Sequence, residues 1–229
     1  MKSLFNTTCD FMDDVYRNIV SLRTSTDLFS NLNDGNEADS RVAVEAEMRV
    51  KADMPLGKIN RGFHYTTAIA YPFETEPYLS TRYGNGSYGV WYGSLDMETT
   101  IHETAYHAIK DLRRIDKISG TIIRHRAVYE VSCQAILFDL RKKGTAFPDL
   151  IANDYGYTQM IGSRLHKEGH PGLLAPSARC SGSNIVAFTP EILRNPKFLC
   201  NLTYRCRPIE GIVIVERKPG EKIHTLRFD

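Results

Sequence analysis

The chain has 229 residues, of which 42% are hydrophobic and 24% are charged, and its formal net charge is +2. These values are typical of one globular domain, or of one domain with an appendage, and they exclude a largely disordered chain. The small net charge argues against nucleic-acid binding driven by bulk charge, whereas a small anionic ligand needs only a local cationic pocket.

The five cysteines give no sign of a disulfide framework or a zinc ribbon, because their number is odd and no pair has C-x-x-C spacing. The N-terminus does not read as a signal peptide, and no apolar run approaches the roughly 18 to 20 residues that cross a membrane. We therefore expect a cytoplasmic protein with reduced thiols and no membrane contact.

Residues 1–52 are predicted to form a helical N-terminal appendage. Phe11, Val15, Ile19 and Leu22 recur at i, i+4, i+8 and i+11, the spacing of one helix face. A polar break follows at residues 31–36, and residues 40–52 indicate a second helix. No pattern in this segment points to chemistry.

Residues 53–229 are predicted to form the main domain. A short aromatic strand at residues 90–92 leads into a helix that Ser94 can cap. The buried stripe predicted for this helix comprises Ile101, Ala105, Ala108, Ile109 and Leu112. Glu103 and His107 point away from that stripe, so they can wall a cleft.

The second half of the chain is predicted to be rich in strands. Residues 121–140 alternate between apolar and polar, which is typical of a half-buried strand. A helix with Tyr157, Met160, Ile161 and Leu165 on one face is predicted to start near Asp154 and to end at Gly169. Residues 173–184 are predicted to form a loop. The remaining strands are predicted at residues 184–188, 202–207, 211–216 and 222–228. This order favours an α+β fold with a mixed or antiparallel sheet core and flanking helices.

Two motifs resemble known sites but lack the context that those sites need. Residues 84–89 match G-x-G-x-x-G, but a dinucleotide fold needs a strand before this motif, and here the strand follows it. His102 and His107 lie at i and i+5, about 140° apart on a helix, so they cannot share one metal. We predict neither a Rossmann site nor a metal site.

Four side chains from separate parts of the chain form a candidate catalytic set: Arg82, Tyr92, Glu103 and Ser177. An arginine fork binds phosphate oxygens, and a tyrosine stacks on a flat heteroaromatic ring. A carboxylate stabilises positive charge on a sugar ring, and a serine orients a ribose or an amide. These are the requirements for splitting a nicotinamide–ribose bond, in which fixed charges near the reacting centre are the main catalytic resource.

At these residues the chain resembles the RES-domain family over about residues 55–195. The resemblance rests on the order and spacing of several short segments: Arg82-Tyr83, VWYG at 90–93, ETTIHE at 98–103, PSAR at 176–179 and NIV at 184–186. It implies an ADP-ribosyltransferase-like fold and a toxin that degrades NAD by hydrolysis or phosphorolysis. NAD would then be the substrate, with no separate cofactor.

The resemblance also implies roles for individual residues and for partners. Arg82 would hold the dinucleotide, Tyr83 and Tyr92 would line the nicotinamide or ribose pocket, Glu103 would be the key carboxylate, and Ser177 would position the substrate. Family members are commonly neutralised by a cognate antitoxin, through which any contact with nucleic acid would be indirect. A homo-oligomer remains open.

Two other functions are compatible with the same residues. An ADP-ribosyltransferase would transfer its product to a macromolecule and not to water or phosphate. A non-catalytic interaction module would keep the fold, and Glu103→Gln would then have no consequence for NAD turnover or toxicity. The sequence does not decide between water and phosphate as the acceptor.

Overall fold

The structure is a computed structural model that describes residues 3–21, 66–74, 76–115 and 120–228. Within these residues, eight strands form one sheet: β1 (Thr8–Val20), β2 (Trp91–Ser94), β3 (Ile122–Asp139), β4 (Gly172–Pro176), β5 (Ser183–Ala187), β6 (Leu193–Arg207), β7 (Ile212–Lys218) and β8 (Glu221–Arg227). Their order is β1-β2-β5-β4-β3-β6-β7-β8, and β1 also pairs with β3. The strands β1, β2, β5, β4 and β3 therefore close into a ring, and β6, β7 and β8 extend the sheet from β3.

The sheet is mixed and mainly antiparallel. The pair β3–β4 is parallel, and the other described pairs are antiparallel. Two longer helices flank the sheet, α1 (Met97–Leu112) and α2 (Gly156–Lys167). Short helical turns lie at Thr66–Ala70, Tyr71–Glu74, Pro148–Leu150 and Pro190–Ile192. This architecture confirms the predicted α+β class.

The prediction of a helix at the N-terminus is wrong for Thr8–Val20, which forms β1 and pairs with β3 over its whole length. Phe11, Val15 and Ile19 are four residues apart, and four is a multiple of two, so this spacing places them on one face of a strand as well as of a helix. Phe11 and Val15 are buried in the sheet core. The predicted second helix at residues 40–52 and the domain boundary at residues 52/53 lie outside the described residues.

Helix α1 packs its apolar stripe on the extended part of the sheet. All five predicted stripe residues are buried, and they contact Val128, Leu202 and Val213 among others. Asp96 caps the helix, since its Oδ1 accepts a hydrogen bond from the Thr99 backbone N–H at 2.6 Å. The prediction of Ser94 as the cap is wrong, because Ser94 is the last residue of β2.

Helix α2 packs on the ring at β4 and β5. Ile161 and Leu165 are buried against residues of β4 and β5, as the predicted apolar face requires. Met160 was predicted on the same face but is exposed. The helix ends near Gly169, whose φ of +78° lies in the left-handed region that glycine adopts without strain.

The prediction of a continuous loop at residues 173–184 is also wrong in its first part. Gly172–Pro176 forms β4, which is buried between β3 and β5, so its apolar run shows no alternation. The loop is reduced to a turn at residues 177–182 between β4 and β5. None of the described helices has the length and apolar character that a membrane crossing requires.

Candidate active site

A cavity of about 620 Å³ opens beside α1, and its size lies in the range of ligand pockets. Its walls come from β1, the segment at residues 79–83, β2, α1, Tyr155 and the adjoining ends of β4 and β5. Of the five predicted site residues, Arg82, Tyr83, Tyr92 and Glu103 line this cavity. Ser177 does not line the cavity, but its hydroxyl donates a hydrogen bond to Glu103, which does.

Glu103 is held by three neutral donors. Its Oε1 accepts hydrogen bonds from Ser177 Oγ at 2.7 Å, from Asn184 Nδ2 at 2.8 Å and from the Ala178 backbone N–H at 3.3 Å. Oε2 accepts no hydrogen bond from the described residues, and none of them forms an ion pair with this carboxylate. The side chain is therefore fixed in place, while one oxygen and the negative charge remain for a ligand.

The turn at residues 177–182 supports this arrangement. Ser177 Oγ donates to Glu103 and accepts from the backbone N–H groups of Arg179 at 3.0 Å and Cys180 at 3.3 Å. The turn lies against the first turn of α1 at Gly182, where a Cβ atom would collide with the Thr99 side chain. A glycine at this position therefore allows the close approach that brings Ser177 to Glu103.

Asn184, which the sequence resemblance includes in the NIV segment without a role, is a further site residue. It lies at the start of β5 and pairs with Ser94 of β2. Ser94 Oγ donates to Asn184 Oδ1 at 2.8 Å, which directs the amide nitrogen of Asn184 towards Glu103. The sheet register thus orients the carboxylate through a second route, independent of Ser177.

Arg82 lines the cavity and is anchored by two backbone carbonyl groups. Its Nη1 donates to the carbonyl oxygens of Ala152 at 2.7 Å and Leu150 at 3.2 Å, and its guanidinium lies 4.6 Å from the centre of the Tyr155 ring. Nε and Nη2 donate to none of the described residues. The guanidinium is therefore anchored at one edge, and its other edge is available to an anionic ligand.

The two predicted pocket tyrosines are packed together. The hydroxyl of Tyr92 accepts a hydrogen bond from the Tyr83 backbone N–H at 2.7 Å and shares another with Thr81 Oγ1 at 2.9 Å. Burial raises the pKa of both phenols, so both stay neutral over the physiological range. The Tyr92 hydroxyl thus holds the segment that carries Arg82, while the Tyr83 hydroxyl is buried without a partner among the described residues.

The cavity carries more positive than negative groups. Its lining includes Arg17, Arg82, Lys110 and Arg114, together with Glu103 and Asp111. His107 also lines it, and burial lowers the pKa of this imidazole, while the nearby charge of Glu103 acts in the opposite direction. Arg17 was not predicted as a site residue, because residues 1–52 were assigned to an appendage.

Arg179 links the turn at residues 177–182 to α1. Its guanidinium carbon lies 3.4 Å from the centre of the Tyr106 ring of α1. In the part of the chain that the structure describes, no three His, Cys, Asp or Glu side chains cluster as a metal site requires.

Comparisons with known proteins place the chain in a family. The family model described as the RES domain matches residues 55–206. No curated protein matches the chain. One similar solved chain comes from a crystal structure described as the M. tuberculosis MbcT–MbcA toxin–antitoxin complex, with 11% sequence identity, a TM-score of 0.44, and coverage of 84% of this chain and 86% of that chain. Because the RES-domain match spans more than half of its length, this chain belongs to the RES-domain family.

Proposed function

We propose that this protein is an NAD-degrading enzyme that cleaves the bond between nicotinamide and ribose. The acceptor is water or inorganic phosphate, so the reaction is hydrolysis or phosphorolysis. In the cell the protein would act as a toxin that a cognate antitoxin neutralises, as the RES-domain family implies. NAD is the substrate in this proposal, and no separate cofactor takes part.

The observation that carries the proposal is the carboxylate of Glu103 at the cavity wall, with its Oε1 held by Ser177, Asn184 and Ala178. Three donors fix this group before any ligand arrives, so it needs little reorganisation during reaction. A fixed negative charge suits a transition state in which the ribose ring becomes positively charged. The free Oε2 is available to a ribose hydroxyl or to the attacking nucleophile.

The rest of the cavity supports a dinucleotide as the substrate class. Cationic side chains on its walls match the negative diphosphate, and Arg82 offers the directional donors that phosphate oxygens prefer. The half-buried rings of Tyr92 and Tyr155 on the same walls provide flat surfaces for heteroaromatic groups, whereas the Tyr83 ring is buried in the core.

The bond changes balance without an oxidant or reductant. The bond between ribose C1′ and the nicotinamide nitrogen breaks, and its electron pair neutralises the pyridinium, so nicotinamide leaves uncharged. An oxygen of water or phosphate then forms a bond with C1′. When water is the acceptor it loses a proton, which Glu103 is positioned to accept from within the cavity.

Incubation of the purified protein with NAD, with and without inorganic phosphate, tests the proposal by analysis of the products. We expect nicotinamide together with ADP-ribose or its phosphorylated form. A label transferred to protein or nucleic acid would favour an ADP-ribosyltransferase. Unchanged NAD would favour a non-catalytic module on the same fold.

A matched pair of variants links the reaction to the site. Glu103→Gln keeps the shape and the Oε1 acceptor but removes the charge, and we expect turnover to fall by about 10²–10³-fold with the fold intact. Glu98→Gln removes an exposed carboxylate from the same helix, and we expect its turnover to equal that of the parent. Equal turnover of NAD by the Glu103→Gln variant would contradict the assignment of Glu103.

The cellular part of the proposal is tested separately. Expression of the parent protein should lower cellular NAD and stop growth, whereas expression of the Glu103→Gln variant should not. Coexpression with a cognate antitoxin should restore the NAD level and growth. Growth arrest by the Glu103→Gln variant at normal NAD levels would separate toxicity from NAD cleavage.

A further inference from the structure

Arg17 occupies an unusual position, because it reaches the cavity from a part of the chain that the RES-domain match does not include. It lies on β1, opposite Tyr129 of β3, whereas the family model matches residues 55–206. Its Nη1 donates to the backbone carbonyl of Tyr92 at 2.5 Å, and its guanidinium carbon lies 5.2 Å from the centre of the Trp91 ring. These contacts fix the guanidinium beside β2 at the cavity wall.

The positive charge of Arg17 has no counter-charge in the part of the chain that the structure describes. No described carboxylate forms an ion pair with it, and its Nε is buried without a hydrogen-bond partner. Burial lowers the pKa of Arg17 to about 10, and repulsion by Arg126, which has the same sign, acts in the same direction. The side chain therefore remains charged at neutral pH.

A charge removed from water without a counter-charge is costly, and proteins retain such groups where a ligand supplies the missing charge. Arg126 provides an internal comparison, since its Nε and Nη2 donate to the Asn18 side chain at 2.9 Å and the Asn18 carbonyl at 2.7 Å. Arg126 does not line the cavity, and two of its donors are used within the protein. Arg17 lines the cavity, and its Nη2, unlike the buried Nε, is not enclosed and donates to none of the described residues.

We propose that Arg17 binds a phosphate oxyanion in the cavity, so that strand β1 completes a substrate site whose other residues lie within the family match. This inference rests on the proposed function for its choice of ligand. The oxyanion belongs either to the diphosphate of the dinucleotide or to free inorganic phosphate acting as the acceptor. A guanidinium suits both, because its planar fork offers directional bonds to two oxygens.

Calorimetric titration with ADP-ribose and, separately, with inorganic phosphate tests the inference without any turnover. In the Arg17→Met variant we expect the affinity for one of these ligands to fall by at least about tenfold, with partial recovery in Arg17→Lys. A loss confined to ADP-ribose assigns the dinucleotide diphosphate, and a loss confined to inorganic phosphate assigns the acceptor. Equal affinities of the parent and Arg17→Met for both ligands, or no binding of either by the parent, would overturn the inference.

A purely structural role for Arg17 is tested by a matched substitution. Arg205→Met also removes a strand arginine, one whose Nε pairs with Glu216 at 3.0 Å outside the cavity. Both variants should unfold at lower temperature, but only Arg17→Met should lose the rise in melting temperature that the ligand produces in the parent. An undiminished rise in Arg17→Met would leave Arg17 with a structural role only and would overturn the inference.

A second measurement covers the case in which Arg17→Met does not fold. The Arg17 Nε–H resonance of the isotope-labelled parent protein can be assigned by its absence from the Arg17→Lys spectrum. Addition of ADP-ribose or phosphate should shift it, and an unchanged resonance at saturating ligand would overturn the inference. Absence of NAD cleavage would refute the proposed function, but the binding measurements would still test the role of Arg17.

Discussion

The hydroxyl of Ser177 donates a 2.7 Å hydrogen bond to Oε1 of Glu103, although the two residues are 74 positions apart in the chain. The same oxygen of Ser177 accepts from the backbone N–H groups of Arg179 and Cys180. One buried hydroxyl therefore holds both the turn at residues 177–182 and the carboxylate of α1. Ser177 acts on Glu103, and contact between Ser177 and the substrate stays a prediction.

Replacing Ser177 by alanine should weaken this link. We expect Ser177→Ala to lower kcat for NAD by about tenfold, because Glu103 keeps Asn184 as a donor but loses one of its two side-chain supports. The free energy of unfolding should fall by about 1–3 kcal/mol, since two backbone N–H groups lose their acceptor. Steady-state kinetics and urea unfolding measure the two effects. Ser181→Ala, an exposed position in the same turn, is the control, and an equal effect of both substitutions would contradict the role of Ser177.

The sequence allowed Glu103 and Ser177 to be chosen, but not the route by which they meet. Their chemical types and their order along the chain indicated one site. The apolar stripe of α1 indicated the buried face of the helix, and Glu103 points away from that face. The contribution of Asn184 depends on the register that places it opposite Ser94. Register is set by pairing between distant strands, which the spacing of residues within one strand does not reveal.

Arg82→Lys should weaken binding of the dinucleotide. The guanidinium of Arg82 uses Nη1 to bond two carbonyl groups and keeps Nε and Nη2 for a ligand, whereas a lysine ammonium cannot hold both sets in one plane. We expect KM for NAD to rise by about tenfold or more, with a smaller change in kcat. Arg207→Lys, at an exposed arginine paired with Glu210, is the matched control. An unchanged KM in Arg82→Lys would show that Arg82 does not hold the substrate.

Arg17 was not predicted as a residue of the cavity wall, because β1 was assigned to a helix. The apolar residues of β1 lie four apart, which fits a helix and a strand equally, and the helical interpretation placed the segment outside the main domain. Only the pairing of β1 with both β2 and β3 brings Arg17 to the cavity. Long-range pairing therefore decided both the secondary structure and the membership of the site.

Tyr92→Phe separates the ring of Tyr92 from its hydroxyl. The hydroxyl accepts a hydrogen bond from the Tyr83 backbone N–H. Removal of the hydroxyl should therefore lower the free energy of unfolding by about 1–3 kcal/mol. KM for NAD should rise, because the neighbouring Arg82 loses part of its support, while the ring remains at the cavity wall. Thermal unfolding and kinetics give the two values, and Tyr71→Phe at an exposed position is the control. Full stability with a large fall in kcat would instead indicate that the hydroxyl contacts the reacting groups.

Stability at alkaline pH should depend on the buried thiol of Cys133. Burial raises the pKa of Cys133 from its usual 9.0 to about 12, because the thiolate would lie in the apolar core of the sheet. Between these values the unfolded chain has released the proton and the folded chain still holds it, so the free energy of unfolding falls as the pH rises from about 9 to about 12. One such group contributes a slope of up to about 1.4 kcal/mol per pH unit.

Cys133→Ala should remove that part of the pH dependence. Urea unfolding at pH 8, 9 and 10 gives the slope of the free energy of unfolding against pH for the parent and for the variant. The substitution also leaves a small cavity, but its cost is the same at every pH and does not affect the slopes. The buried tyrosines contribute equally to both proteins. Cys206→Ala offers an independent repetition, since burial raises the pKa of Cys206 to about 11 and its window is correspondingly narrower. If the parent and Cys133→Ala lost stability equally between pH 9 and 10, ionisation of this thiol would not be coupled to unfolding.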